Sequence, residues 1–469
     1  MTGQLLQGIT PKLAHTTLVG AGLMALGLMG LTMQPLPAAA QTTPGTTSSA
    51  TPGADSQVSA SASAPALTLS QALEAARNNL DVALARSSLA GARADVVSAN
   101  RAPLPVLSTG ISNIDLQNGN GPGNILADRT LDKSIGLDWT WERGNKRALR
   151  TLSAQQSANA AQSDLQEVLT QQQLAVHAAF YDLLAAQERL EHLRALSRLA
   201  SQTAESAKAR VQAGDLSVQD GLRTEIEAQR ARSDLQLAEL DRQRAALALW
   251  QSSGVGVAPE QLQVQAEWPA SSTTRTADVA ALVERRADVQ AATARVQAAR
   301  AALDNARALK QSDITWGASY DHYPGTSNAL IALRMQVPLQ WGYSFEGEIA
   351  RANAQLVQAQ DALEKTRRIA QAELQRLLQE ALNTTQRAQA YEGQIVPNAQ
   401  RVAQGAELAY SKGALSLTDL LDARRTLRAT LLEALSARTD FAKASGAWEL
   451  RTAQTTSTAG NATLTPARP

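Results

Sequence analysis

Two hydrophobic periods alternate along the chain. Between Leu131 and Glu142 the odd positions read Leu131, Lys133, Ile135, Leu137, Trp139 and Trp141, and the even ones Asp132, Ser134, Gly136, Asp138, Thr140 and Glu142. Successive side chains of a strand point to opposite faces, so this run predicts a strand with one apolar face. The alternation returns from Asp313, with Ile314, Trp316, Ala318 and Tyr320 on one side. It returns again from Ala329 to Trp341, with Ile331, Leu333, Met335, Val337 and Leu339 between them on one face. Leu104 to Gln117 alternates less cleanly and is assigned as a strand by its place in a repeat.

Around the strands the period lengthens to that of a helix. A helical stretch of about 35 residues runs from Leu67 to Ala102 with Ser70 as N-cap, and one of about 67 residues runs from Asn145 to Val211. Gly214 breaks it, and a further helix covers Ser217 to Trp250. After a Gly/Pro/Ser-rich linker the order recurs: helix Ala277 to Leu309, strands Asp313 to Trp341, long helix Ser344 to Lys412, a break at Gly413, and helix Leu417 to Leu450. The chain is therefore a tandem duplication, residues 67–251 and 277–450, joined by residues 252–276. The ten-residue stretches around the two breaks, AGDLSVQDGL (Ala213 to Leu222) and KGALSLTDLL (Lys412 to Leu421), share Gly, Leu, Ser, Asp and Leu in register. Pro397 falls inside the second long helix, where it removes a backbone hydrogen bond and should bend it.

Composition narrows the function classes. Aromatic residues are only 3%, which points to long helices packed through Ala and Leu rather than a core of large side chains. A net charge of +1 gives no footprint for nucleic acid. With 0 Cys there is no disulfide, thiolate metal site or cysteine nucleophile, and His177, His192 and His322 have no metal-ligand spacing. Neither an enzyme nor a cofactor is expected. Lys12, the apolar run Leu18 to Met33 and the small residues ending at Ala40 predict a secretory signal peptide over 1–40. The Ser/Thr/Ala-rich stretch that follows predicts a disordered tether over 41–66, and residues 451–469 a disordered tail.

A soluble sandwich would show the same alternating strands, but the tryptophans discriminate. Trp139, Trp141 and Trp341 stand where strands run into long helices and Trp316 where a strand has just left one, so all four belong to one end of a sheet. A membrane barrel needs such an aromatic girdle and a sandwich does not. Four strands cannot close, because outer-membrane barrels begin at about eight, so several chains must contribute. Two chains would give eight strands with a filled interior, and three give twelve strands around a lumen. A helix of about 67 residues spans about 100 Å, far beyond a hydrocarbon layer of about 30 Å, so most of the chain lies outside the membrane. The alternatives from other classes are a periplasmic adaptor and a structural helical-hairpin protein of the cell envelope. Neither accounts for two alternating strand pairs ending in tryptophan.

LTLSQALEAARNN, LPVLS, VPLQWG, IVPNA and AYSKGALSLTDLLDARRTL, in that order within the duplicated helix and strand pattern, resemble the TolC family of outer-membrane efflux proteins over Leu67 to Leu450. The resemblance implies a fold that is mainly α with a β-barrel portion: a homotrimer with a twelve-stranded barrel in membrane lipid and a helical tunnel in the periplasm. It implies a passive exit duct of a tripartite efflux or type I secretion system that docks a periplasmic adaptor and an inner-membrane pump. By the same resemblance, Gly214, Asp215, Leu216, Gly413, Ala414 and Leu415 are adaptor contacts at the tips of two helical hairpins. Asp419 and Asp422, on the face opposite Leu417, Leu420, Leu421, Leu427, Leu431 and Leu435, match the channel-entrance aspartates, and Asp220 and Tyr410 match gate contacts. Leu415 departs from the family pattern, which has an arginine two residues after the second turn glycine. ERGNKRALR (Glu142 to Arg150) resembles the GGKR stretch of members serving heavy-metal and related cation pumps, with Asn145 in place of the second glycine, but is read first as a cationic collar for lipid phosphates just below the membrane.

Overall fold

The computed structural model describes residues 66–119, 121, 130–271 and 278–457. The expected signal peptide lies outside the described residues, as do nearly all of the tether and residues 458–469. Each repeat opens with two helices, not one. In the first, α1 (Leu69–Ala76) is started by a capping box on Thr68 and Gln71, and the expected cap Ser70 lies inside the helix. The chain then breaks at Asn79, which caps α2 (Leu80–Ala99) and donates its amide to the carbonyl of Ser252 at 2.7 Å. In the second, α5 (Val279–Arg285) and α6 (Ala287–Ala308) part at Arg286, whose backbone is extended.

Strands β1 (Val106–Ser112) and β2 (Asp132–Trp141) come from the first repeat, and β3 (Ile314–Tyr323) and β4 (Ser327–Gln336) from the second. They form one antiparallel sheet in the order β1-β2-β3-β4, so the outer edges of β1 and β4 carry no partner strand among the described residues. Strand β4 begins two residues before the expected start and stops short of Trp341. Pro338, which has no N–H to give to a ladder, lies just beyond its end.

The long helices follow. Helix α3 (Lys146–Gln212) has 67 residues and α4 (Val218–Ser253) returns beside it. In the second repeat α7 (Glu346–Ala390) passes through a π-helical turn, Tyr391–Ile395, into α8 (Val396–Ser411), and α9 (Leu417–Ser457) returns. The irregularity expected at Pro397 is thus taken up in the turn before it: the wider π turn accommodates a missing N–H without ending the helix. Both strand-to-helix joints use left-handed backbone, Gly144 and Asn145 in one and Gly342 and Phe345 in the other.

Two cores hold the helices together, both rich in alanine. The first gathers Ala72, Ala76, Val176, Phe180, Leu183, Leu249 and Ala442, and the second Val283, Val289, Ala370, Leu374, Ala381 and Trp448. Helix α9 enters both, so the second repeat is packed onto the first. Within the expected linker 252–276, the described residues include members of the first core. Its Leu262 and Val264 are buried, Val264 bridges to Leu67, and the Trp268 indole donates to Glu188 at 2.6 Å. Nor does the last helix stop at Leu450. Arg451 is buried between Glu167 at 2.9 Å and Glu373 at 3.1 Å, which draws seven residues of the expected tail into α9.

Candidate membrane face and channel mouth

Strand register sorts the sheet into two chemically distinct faces. Leu107, Leu137, Ala318 and Leu333 make one row across it; Thr109, Ile135, Tyr320 and Ile331 the next; and Trp139, Trp316 and Met335 a third. These rows share a face, and it is bare: Ile331 is 76% and Leu333 84% exposed. Trp141 pairs with Ile314 at the helix-facing end, and Trp341, 86% exposed, follows β4 in the connection to α7. Tyr343 and Phe345 stand beside it with ring centroids 5.6 Å apart. Those two aromatics were missed in the sequence because they lie past the alternating run. A contiguous exposed apolar face rimmed by tryptophan is what a lipid-facing surface requires.

The opposite face carries Ser108, Gly110, Ser134, Gly136, Asp138, Thr140, Thr315, Gly317, Ser319 and Arg334. Thr140 and Thr315 hydrogen-bond across it at 3.0 Å, and Arg334 pairs with Asp138 at 2.5 Å. Among the described residues no helix is long and apolar enough to cross a membrane.

The expected lipid collar after β2 is mostly spoken for. Lys146 is buried, donating to Asp313 and to the Gln311 carbonyl, both at 2.7 Å. Arg150 pairs with Glu142 at 2.9 Å and donates to the carbonyls of Ala99 and Arg101. These cations clamp the strand-to-helix joint and do not reach outward. Arg143 and Arg147 remain exposed.

At the other end of the long helices the two hairpin tips have the same construction. Gly214 and Gly413 have φ of +80° and +73°, each C-terminal to a helix, and the amide after each returns to a carbonyl five residues back: Asp215 to Arg210, Ala414 to Ala409. This is the left-handed C-cap that glycine adopts without penalty. A Cβ at either position would meet open space, so conformation and not crowding demands the glycine. Ser217 and Ser416 then start the returning helices. Ser217 Oγ accepts from the Asp220 amide at 3.1 Å and donates to its carboxylate at 2.8 Å; Ser416 does the same with Asp419 at 3.2 and 2.7 Å. Asp220 and Asp419 are therefore the same position in the two repeats, although the family resemblance gives them different parts to play. The Ser-x-x-Asp spacing in both tips was the signal for this cap.

Asp419 and Asp422 are both exposed, and Leu420 between them is buried, as the helical period required. Asp215 is exposed and Leu216 half-buried in the first tip; Ala414 and Leu415 stand likewise in the second. Tyr410 Oη accepts from Arg210 at 3.2 Å, while Asp220 pairs with Arg223 at 3.6 Å. Within one chain the two gate candidates are thus held by different arginines and are not bonded to each other. The hairpins are tied to one another by arginines that sequence reading passed over. Arg223 donates to Thr418 at 3.0 Å, Arg425 pairs with Glu227, and Arg428 pairs with Asp234. The hydrogen bond it donates to Glu227, against the cost of partial burial, holds the Arg425 guanidinium above its ordinary range. Nothing in the heptad-like pattern of α9 marks these residues as cross-hairpin ties, because their acidic partners lie about two hundred residues away.

Comparison with known proteins agrees with this arrangement. The model of the outer membrane efflux protein family matches residues 69–255 and 279–451. The cobalt-zinc-cadmium resistance protein CzcC of Cupriavidus metallidurans is 26% identical over 376 residues, 77% of this chain and 84% of that one. Among solved structures, the outer membrane protein VceC of Vibrio cholerae shares the fold with a TM-score of 0.66 at 19% identity, over 82% of this chain and 95% of that one. The CmeC outer membrane channel of Campylobacter jejuni does so with a TM-score of 0.70 at 14% identity, over 84% and 88%. With both repeats matched, the chain belongs to the outer membrane efflux protein family, a family of outer-membrane exit channels and not of enzymes.

Proposed function

We propose that three copies of the chain join sheet edge to sheet edge into a twelve-stranded barrel, and that their six hairpin tips form a periplasmic mouth through which an inner-membrane pump delivers its cargo. The observation that carries this reading is the open four-stranded sheet: edges at β1 and β4 without a partner strand among the described residues, one apolar face bare and the other polar. An exposed flat edge is an aggregation hazard that closure removes, and a bare apolar face has its place in lipid. Trp139, Trp141, Trp316 and Trp341 then form the girdle at the membrane's periplasmic boundary.

At the mouth, Asp419 and Asp422 from each chain line the entrance, and Asp220 and Tyr410 hold it shut through contacts between helices. Gly214, Asp215, Leu216, Gly413, Ala414 and Leu415 meet the adaptor. The duct is passive, and the pump supplies the energy. Divalent metal cations are the cargo this reading favours, on the strength of CzcC being a cobalt-zinc-cadmium resistance protein. The test has two parts. Detergent-extracted mature protein should run as a trimer and form channels in planar bilayers, and a compact monomer that needs no detergent would overturn the barrel. Loss of the gene should sensitise its host to cobalt, zinc and cadmium; unchanged tolerance to all three would remove metals as the cargo while leaving the duct intact.

A further inference from the structure

Three glycines, Gly110, Gly136 and Gly317, lie on the polar face of β1, β2 and β3, and each is roofed by a neighbour's side chain. A Cβ at Gly110 would stand 2.7 Å from Ser134 Oγ, and one at Gly136 would stand 2.9 Å from Ser108 Oγ. One at Gly317 would overlap Asp138 Oδ1 and come within 3.3 Å of Arg334 Nε and Nη2. Asp138 is on β2 and Arg334 on β4, with β3 between them, and the register puts Asp138, Gly317 and Arg334 in a single row. Their 2.5 Å ion pair spans two strand spacings and exists because the residue beneath it has no side chain.

Arg334 is also the only Lys or Arg on this face among the described strand residues, beside Asp132, Asp138 and Asp321. Asp321 is buried and accepts from Ser319 Oγ at 2.9 Å. Arg334 keeps 62% of its side chain exposed, so its charge remains in contact with solvent even though the chain lies flat.

We propose that Arg334, laid over Gly317 by Asp138, sets the ion preference of the barrel lumen and, by lying flat, keeps the lumen wide. This rests on the channel reading, in which the polar face lines water. Three copies place three such pairs at one level of the lumen. Rings of fixed charge tune which ions pass, and a ring of paired charges favours neither sign strongly. With Arg334 removed the level becomes acidic. With Asp138 removed, the guanidinium is released to stand into the lumen as an uncompensated cation.

The chain has 0 Cys, so single cysteines report each face without background. In membrane-inserted trimers a charged, membrane-impermeant thiol reagent should modify Arg334→Cys and leave Leu333→Cys, its neighbour on the apolar face, unmodified. Ala332→Cys, one row along the polar face and outside the pair, repeats that test with the pair intact. Bilayer recordings follow in an Asp419→Asn and Asp422→Asn background, which removes the mouth's contribution. Arg334→Gln should raise the cation-to-anion permeability ratio several-fold. Asp138→Asn should lower that ratio below the parent's and reduce single-channel conductance, and the exchange of Asp138→Arg with Arg334→Asp should return both toward the parent. Reversal potentials unchanged in both single variants, or modification of Leu333→Cys in place of Ala332→Cys, would overturn the proposal. A parent that forms no channels at all would instead overturn the duct reading on which it rests.

Discussion

His177 and Gly446 show how finely two helices are fitted at a single point. The imidazole of His177 on α3 occupies the space that a side chain at Gly446 on α9 would fill, so that a Cβ there would overlap the ring. Tyr181 meets the same imidazole edge-on with centroids 5.0 Å apart. Burial, aided by the nearby Lys443 charge, lowers the His177 pKa to about 4. The unfolded imidazole titrates near its ordinary 6.5, so between pH 6.5 and about 4 the unfolded chain binds the proton and the folded chain does not. Stability is therefore complete above pH 6.5 and declines as pH falls toward 4, by roughly 3 kcal/mol per chain from this group. Denaturant melts of the wild type and His177→Gln between pH 7 and 4 should diverge in that window, the variant losing less stability on acidification. Gly446→Ala has no cheap way to fit and should lower the melting temperature at every pH.

At the scale of elements, the hairpin tips separate a turn's conformation from its surface. Gly413→Ala places a Cβ in open space, at a cost of about 1 kcal/mol for the left-handed backbone. The trimer should survive this change and still pass ions. A bulky residue at Gly214 or Gly413 keeps the barrel but changes the surface offered to an adaptor, and efflux in cells should be abolished. Efflux retained by assembled bulky variants would show that the tips are not the dock. Ser416→Ala removes the cap on α9 and should cost about 1 kcal/mol locally, seen as faster amide exchange at Asp419.

For the whole molecule, the helices of both repeats meet at a buried chain of charges. Arg286 pairs with Asp288 at 2.7 Å and with Glu373 at 2.9 Å, and Arg451 joins Glu373 to Glu167. This links the α5/α6 break, α7, α9 and α3. Burial opposes the charge on Arg286, and its two carboxylates outweigh that cost, leaving its pKa above the ordinary value. Removing Arg451 leaves the largely buried Glu167 without its counter-charge while Glu373 keeps Arg286, and losing one partner of a buried pair typically costs about 3–5 kcal/mol. Arg451→Ala should accordingly weaken the trimer far more than loss of an exposed pair such as Arg368 with Glu364. Comparative thermal dissociation of the two variant trimers measures the difference.

Periodicity was enough for three of the four strands, the 67-residue helix, the two glycine turns and the duplication, because each is a local pattern repeated over many residues, and the duplication then located β1. The face of Asp419 and Asp422 was equally readable, since a 3.6-residue period separates them from buried Leu420. Wherever a distant partner overrode the local pattern, the reading failed. Asn79 breaks the first helix toward Ser252, and Arg286 breaks its counterpart toward Glu373. Leu262 and Val264 turn a linker composition into core, and Lys146 with Asp313 and Arg150 with the Ala99 carbonyl turn an apparent collar into a clamp. The arginines joining the hairpins belong with these. Their energy lies in pairs far apart in the chain, and only the packed helices bring such partners within a few ångströms of each other.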